Sequence, residues 1–286
     1  MAEAEKKKVA EKATETKAVA KKGKAPTKKE VAAEPIVARK RALWDKGWKL
    51  ALWGILMAVW VTVVLVAVQY ALSYGIYWMN RWGWISTGLI QRPGFLMGYE
   101  AVVYAASLAL AILLPWKVLK YKVSRNELGL YGLPTWTDIL LGPIGLILAL
   151  ILGAIVVFIA EKLMPWVDWE QEQDVGFNIL ANSTEYLVAF FALVVVAPFC
   201  EEVLFRGWLY GKLRGRMSAL PAIIITSITF GVVHGQWNVG VTVFAMSIIM
   251  CLARELTGTI YCGMIIHILK NALAFYMLYV ANPLQM

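Results

Sequence analysis

Charge is scarce in this chain. Of its 286 residues only 16% are Asp, Glu, Lys or Arg, whereas 60% are hydrophobic. That deficit lies outside the range of soluble domains and points to the bilayer as solvent. Histidine is scarcer still: His234 and His267 are the whole inventory, and no His-Glu-x-x-His zinc-protease motif is present. The three cysteines, Cys200, Cys251 and Cys262, sit inside apolar runs without a Cys-x-x-Cys spacing, so they read as packing residues. No internal inverted repeat of the kind common in transporters is evident. No cleavable signal peptide is evident either, because the first apolar run starts near Leu50 behind a long charged segment and reads as a signal anchor.

What charge there is lies at the start. Residues 1–49 hold 15 Lys and Arg against 7 Asp and Glu, a balance of +8 out of the formal +9. Large apolar residues are few there, and no aromatic appears before Trp44. Residues 1–46 cannot bury enough apolar surface to offset their ordering entropy and read as a disordered cytoplasmic tail. Basic residues of this kind adhere to anionic lipid at about 1 kcal/mol each. Such adhesion is unspecific, and no specific nucleic-acid partner is expected.

The remainder reads as an all-α, polytopic membrane helix bundle, with residues 47–180 as N-terminal spans and loops and residues 181–286 as a C-terminal transmembrane core. About 20 apolar residues cross the hydrocarbon as a helix, and seven segments qualify or nearly do. They are Leu50 to Leu72, Phe95 to Leu114 (interrupted by Tyr99, Glu100 and Tyr104), Ile139 to Ala160, Tyr186 to Phe205, Leu220 to His234, Val239 to Leu252 and Ile260 to Val280. The fifth and sixth are short. With the basic tail inside, the connections carrying Lys117, Lys120, Lys122 and Arg125, and then Lys212, Arg214 and Arg216, fall on the cytoplasmic side. The connection carrying Asp168, Glu170, Glu172 and Asp174 falls outside, as the positive-inside rule requires. Arg81 and Arg92 are mild exceptions. The expected location is the inner or plasma membrane, with the N-terminus cytoplasmic. Trp78, Trp82 and Trp84 mark either an interfacial belt or a re-entrant segment.

Ionisable residues in spanning helices are costly and are functional hypotheses by default. They concentrate in the last third. Glu201 and Glu202 follow the apolar run ending at Cys200, and Arg206 lies one turn beyond Glu202, so those two can pair. Glu201 is rotated about 100° away and faces elsewhere. Asn271 shares a helical face with His267, four residues on. Counted from the turns between helices at about 1.5 Å per residue, Glu202 lies roughly 20 Å and His234 roughly 24 Å from the connection near Gly215, and His267 and Asn271 roughly 12 and 18 Å from the turn near Gly258. Three helices can therefore aim polar side chains at one buried locus.

Glu201-Glu202-Val-Leu-Phe-Arg206, Phe230-Gly-Val-Val-His234 and His267-Ile-Leu-Lys-Asn271 resemble, in order, the EExxxR, FxxxH and HxxxN motifs of the CPBP (Abi) family of CAAX prenyl endopeptidases and bacteriocin-processing proteins. Arg254-Glu255-Leu-Thr257-Gly258 is similar to family members as well. The likeness covers about Tyr186 to Val280. It implies an intramembrane hydrolase of the protease class, in which Glu201 and His234 activate water, His267 and Asn271 stabilise the oxyanion, and Glu202 and Arg206 form a structural pair. The implied partners are the lipid bilayer and a membrane-associated peptide or protein substrate, lipidated or not. The bottom-up chemistry agrees, because peptide hydrolysis needs a base, a water and donors aimed at developing negative charge.

Three rival readings stand beside it. A divalent metal such as zinc, held by Glu201, His234 and His267, is chemically feasible, although a metal-free site is favoured. A transporter or proton relay would also place Glu, His and Arg in the membrane. A non-catalytic scaffold or bacteriocin-immunity protein would use the same residues only to lock helices together.

Overall fold

The computed structural model describes residues 47–120, 123–173, 177, 180 and 182–281. The basic segment 1–46, together with Lys122 and Asp174, lies outside the described residues. Every one of the seven apolar segments forms a helix, and the described residues contain no strand. These helices are α1 (Gly47–Arg81), α2 (Pro93–Val118), α3 (Trp136–Leu163), α4 (Ser183–Arg214), α5 (Ala219–Val232), α6 (Trp237–Thr257) and α7 (Tyr261–Tyr279). Six are long and apolar enough to cross a membrane. The exception is α5, with 14 residues. Of the two segments expected to be short, only this one is. The other extends through Arg254 and Glu255 to Thr257 and reaches 21 residues.

Local chemistry sets the ends of these helices. Pro93 occupies the first turn of α2, where its missing N–H costs nothing. Thr135 and Asp138 form a reciprocal capping box at the start of α3. The Asn182 side chain accepts from the Glu185 N–H to open α4. Gly258, at φ 74°, closes α6 in the left-handed conformation that a side chain resists. At 35 residues, α1 is about 52 Å long, well beyond a hydrocarbon core of about 30 Å. Its end carries Tyr74, Tyr77 and Trp78. Trp82 and Trp84 pack on each other in the turn beyond, both exposed. Trp78 thus lies within α1, and Trp82 and Trp84 follow its end.

Membrane helices gain little from hydrophobicity against one another, so close backbone approach does the packing. The inner face of α3 is Gly142, Gly145, Ala149 and Gly153. A methyl at Gly142 or Gly145 would collide with Ile265 or Ile266 of α7. α5 and α6 cross at Gly231 and Gly240, where a Cβ on either would lie 2.7 or 2.8 Å from the other's carbonyl oxygen. The opposite faces of α1 and α3, with Ile55, Leu56, Val59, Ile144, Ile147 and Ile151 exposed, are left for lipid.

Regular helix gives way to π-helix over Ala109–Leu113 of α2 and, in α4, over Phe191–Val196 and again over Val203–Leu209. Wide π turns add a residue per turn and re-aim the side chains around them. Between the two stretches of α4 stand Glu201 and Glu202.

Candidate active site

Glu202 and Arg206 are wholly buried, and Arg206 Nη1 donates to Glu202 Oε1 at 2.8 Å. The guanidinium also lies over the Phe230 ring of α5, 4.2 Å from its centroid. The one-turn spacing thus forms the pair expected of it. What the spacing did not reveal is a third member. His267 Nδ1 donates to the same Glu202 oxygen at 3.1 Å, so the carboxylate fixes the imidazole as well as neutralising the arginine. Gly263, one turn before His267, makes room for the carboxylate: a Cβ there would lie 2.9 Å from Glu202 Oε2.

With Nδ1 so held, His267 Nε2 points towards Glu201, 3.8 Å from Oε2. Glu201 is partly open to the cavity, its side chain 18% exposed against none for Glu202. Its 100° offset turns it towards α2, where the Tyr104 hydroxyl donates to Oε1 at 2.7 Å. One carboxylate oxygen is therefore engaged, and the other faces the histidine.

His234 stands in the turn after α5, and its Nδ1 lies 2.7 Å from the carbonyl oxygen of Phe230. A carbonyl can only accept, so Nδ1 carries the proton and Nε2 is left with a basic lone pair. Phe230 bridges the two histidines, with ring centroids 4.9 Å from His234 and 5.8 Å from His267. Asn271 Nδ2 donates to the Leu193 carbonyl at 2.8 Å, within the first π stretch of α4. The amide has a second hydrogen for another acceptor.

Glu201, His234, His267 and Asn271 all line one cavity of about 880 Å³. The depths inferred from straight helices put Glu202 roughly 8 Å above His267, yet the two are hydrogen-bonded. The π stretch Val203–Leu209, between Glu202 and the end of α4, shortens that path and removes part of the offset. Glu100, Tyr104 and Lys270 also line the cavity, and sequence reasoning assigned them no role. The signal was present for the first two: Glu100 and Tyr104, one turn apart, are the polar interruptions of an otherwise apolar span.

Glu201, His234 and His267 are also the set weighed for a metal. Among the described residues no group of three or more His, Cys, Asp or Glu side chains is close enough to hold an ion. Nδ1 of His234 is held by a carbonyl and Nδ1 of His267 by Glu202, which leaves the two Nε2 atoms and Glu201 as the groups that would face a water or an ion.

These features define a polytopic helical membrane protein with a carboxylate and histidine cluster buried in a cavity between its helices. Residues 183–273 match the family described as "Rce1-like: Type II CAAX prenyl endopeptidase Rce1-like". That stretch runs from the start of α4 into α7 and contains all six motif residues from Glu201 to Asn271. No curated protein and no solved structure matches the chain.

Proposed function

We propose that this protein is an intramembrane endopeptidase that cuts a peptide segment of a membrane-associated substrate, using Glu201 as the base. The observation that carries this reading is the division of labour between two adjacent carboxylates. Glu202 is sealed between Arg206 and His267, whereas Glu201 stands in the cavity, oriented by Tyr104. Glu201 takes a proton from water, and the Nε2 lone pair of His234 accepts a second hydrogen bond from it. The water oxygen attacks the scissile carbonyl carbon. His267, when both its nitrogens are protonated, and Asn271 through its second amide hydrogen then face the oxyanion. As the C–N bond breaks, the proton held by Glu201 passes to the leaving nitrogen, so the base returns to its carboxylate form. The test is to reconstitute the purified protein with single-span and lipid-anchored peptides and identify new termini by mass spectrometry.

Tyr104 enters this scheme as a positioning residue, because its hydroxyl determines which Glu201 oxygen remains for water. A hydrogen bond to a charged group contributes about 1.5 to 3 kcal/mol. Tyr104→Phe keeps the ring and its packing, and it should lower kcat roughly 10- to 100-fold with KM little changed. A variant that instead raised KM at constant kcat would assign Tyr104 to substrate binding.

In this reading water is activated without a metal. Activity should survive prolonged chelation, and the purified chain should carry no stoichiometric zinc. One zinc per chain, with activity abolished by chelation and restored by zinc, would reassign His234 and His267 as ligands.

A scaffold reading would need the polar groups to satisfy one another. Glu201 is left partly exposed in a large cavity, which favours catalysis over locking.

A further inference from the structure

The cavity is not symmetric across the membrane. Besides the catalytic cluster it is lined by Gln69 and Tyr70 in the second half of α1, Leu96 near the start of α2, Glu172 and Gln173 in the connection after α3, and Leu278 near the end of α7. All of these belong to one end of the bundle, where α1 and α7 finish and α2 and α4 begin.

The short helix explains how polar groups are admitted from that end. With 14 residues α5 is about 21 Å long, against a hydrocarbon core of about 30 Å. Its end, with His234 in the turn that follows, therefore stops short of the surface, and an irregular backbone exposed to lipid is not tolerated at that depth. The structure meets this with side-chain amides. Gln236 Nε2 donates to the carbonyls of Gln171 (3.1 Å) and Glu172 (3.4 Å), and Asn238 Nδ2 donates to those of Trp169 (3.3 Å) and Gln171 (2.8 Å). The polar segment Trp169 to Glu172 is thus drawn in to meet the end of α5, and a polar funnel leads from this face to His234 and Glu201.

Towards the other end the path is closed. Every residue from Glu202 to Tyr210 is buried. The connection between α2 and α3 presses its backbone on α4, with carbonyl oxygens of Leu128 and Glu127 each 3.0 Å from where a Cβ would stand on Gly207 and Gly211. Arg254, itself buried, bonds the carbonyls of Glu127 and Gly258. Beyond this seal, Tyr210 and Arg214 both donate to Glu255.

The two ends also differ in charge. The closed end, from which α1 starts, carries Lys117, Lys120, Arg125, Lys212, Arg214 and Arg216, whereas Asp168, Glu170 and Glu172 stand at the open end with Arg81, Arg92 and Lys162. Excess Lys and Arg in short connections marks the cytoplasmic side. We infer that the catalytic cavity opens on the non-cytoplasmic face of the membrane, so that its substrate is a membrane-associated protein presenting its scissile segment on that face. The substrate part of this inference rests on the proteolytic reading above; the direction of opening does not.

Single-cysteine reporters separate the two. Glu170→Cys stands at the open end and Arg125→Cys at the closed end, both on exposed positions, while the native Cys200, Cys251 and Cys262 are buried or partly buried and give the background. A membrane-impermeant maleimide applied to intact cells should label Glu170→Cys and reach Arg125→Cys only after lysis. In the same cells, a single-span test protein should be cut when its cleavable segment is external and spared when it is cytoplasmic. Inverted labelling, or cleavage of the cytoplasmic segment, would overturn the inference. Labelling as expected with neither segment cut would uphold the outward opening and remove proteolysis instead.

Discussion

Replacing Glu201 with glutamine should abolish measurable cleavage while leaving the protein folded. Glutamine keeps the shape of the side chain and an oxygen that accepts from Tyr104, but it cannot take up a proton at neutral pH. Removing a general base costs about 10²- to 10⁴-fold. Structural damage should be slight, because Glu201 is partly open to the cavity and takes no part in the buried pair. The appropriate measurement sets product formation beside size-exclusion profiles of the same preparations. Activity retained within a few-fold would transfer the base to another group in the cavity, with Glu100 the first to examine because it lines the same space from α2.

The sequence was most legible where a rule of spacing applies within one helix. The four-residue interval between Glu202 and Arg206 predicts a bonded pair, and the 100° offset predicts that Glu201 faces a different helix. Both hold, and the facing helix is α2. Contacts that join distant segments were less legible. Nothing in the interval between Glu202 and His267 announces that the carboxylate serves both Arg206 and the histidine, since the contact depends on Gly263 admitting the carboxylate and on π turns altering the rise of α4. The same holds for Tyr104, which lies 97 positions before Glu201. Its presence in an apolar span marks it as unusual, but its partner emerges only when α2 and α4 pack. The extent of α5 was legible in outline, as a short apolar run ending at His234. Its consequence, a polar funnel bridged by Gln236 and Asn238, required the position of the acidic connection.

The second large effect is on folding. Arg206→Ala should destabilise the protein by about 3 to 5 kcal/mol, the usual result of removing one partner from a buried ion pair and leaving the other charge uncompensated. Glu202 has no exposure to water, and among the described residues its Oε2 has no hydrogen-bond partner. Without Arg206 it would keep only His267. The substitution also removes the cation from the Phe230 ring and opens a void in the buried stretch Val203–Leu209. Folded yield and the thermal midpoint in detergent should therefore fall much further for Arg206→Ala than for Glu201→Gln. Equal yields would mean that the pair is not structural. Replacing both partners with methionine distinguishes an unpaired charge from a simple void, because a buried pair exchanged for apolar side chains of similar volume is often neutral or stabilising. The double variant should recover much of the folded yield. It should nonetheless cleave poorly, since His267 would lose the carboxylate that holds Nδ1 and directs Nε2 towards Glu201, and recovered folding with full activity would show that Glu202 orients nothing.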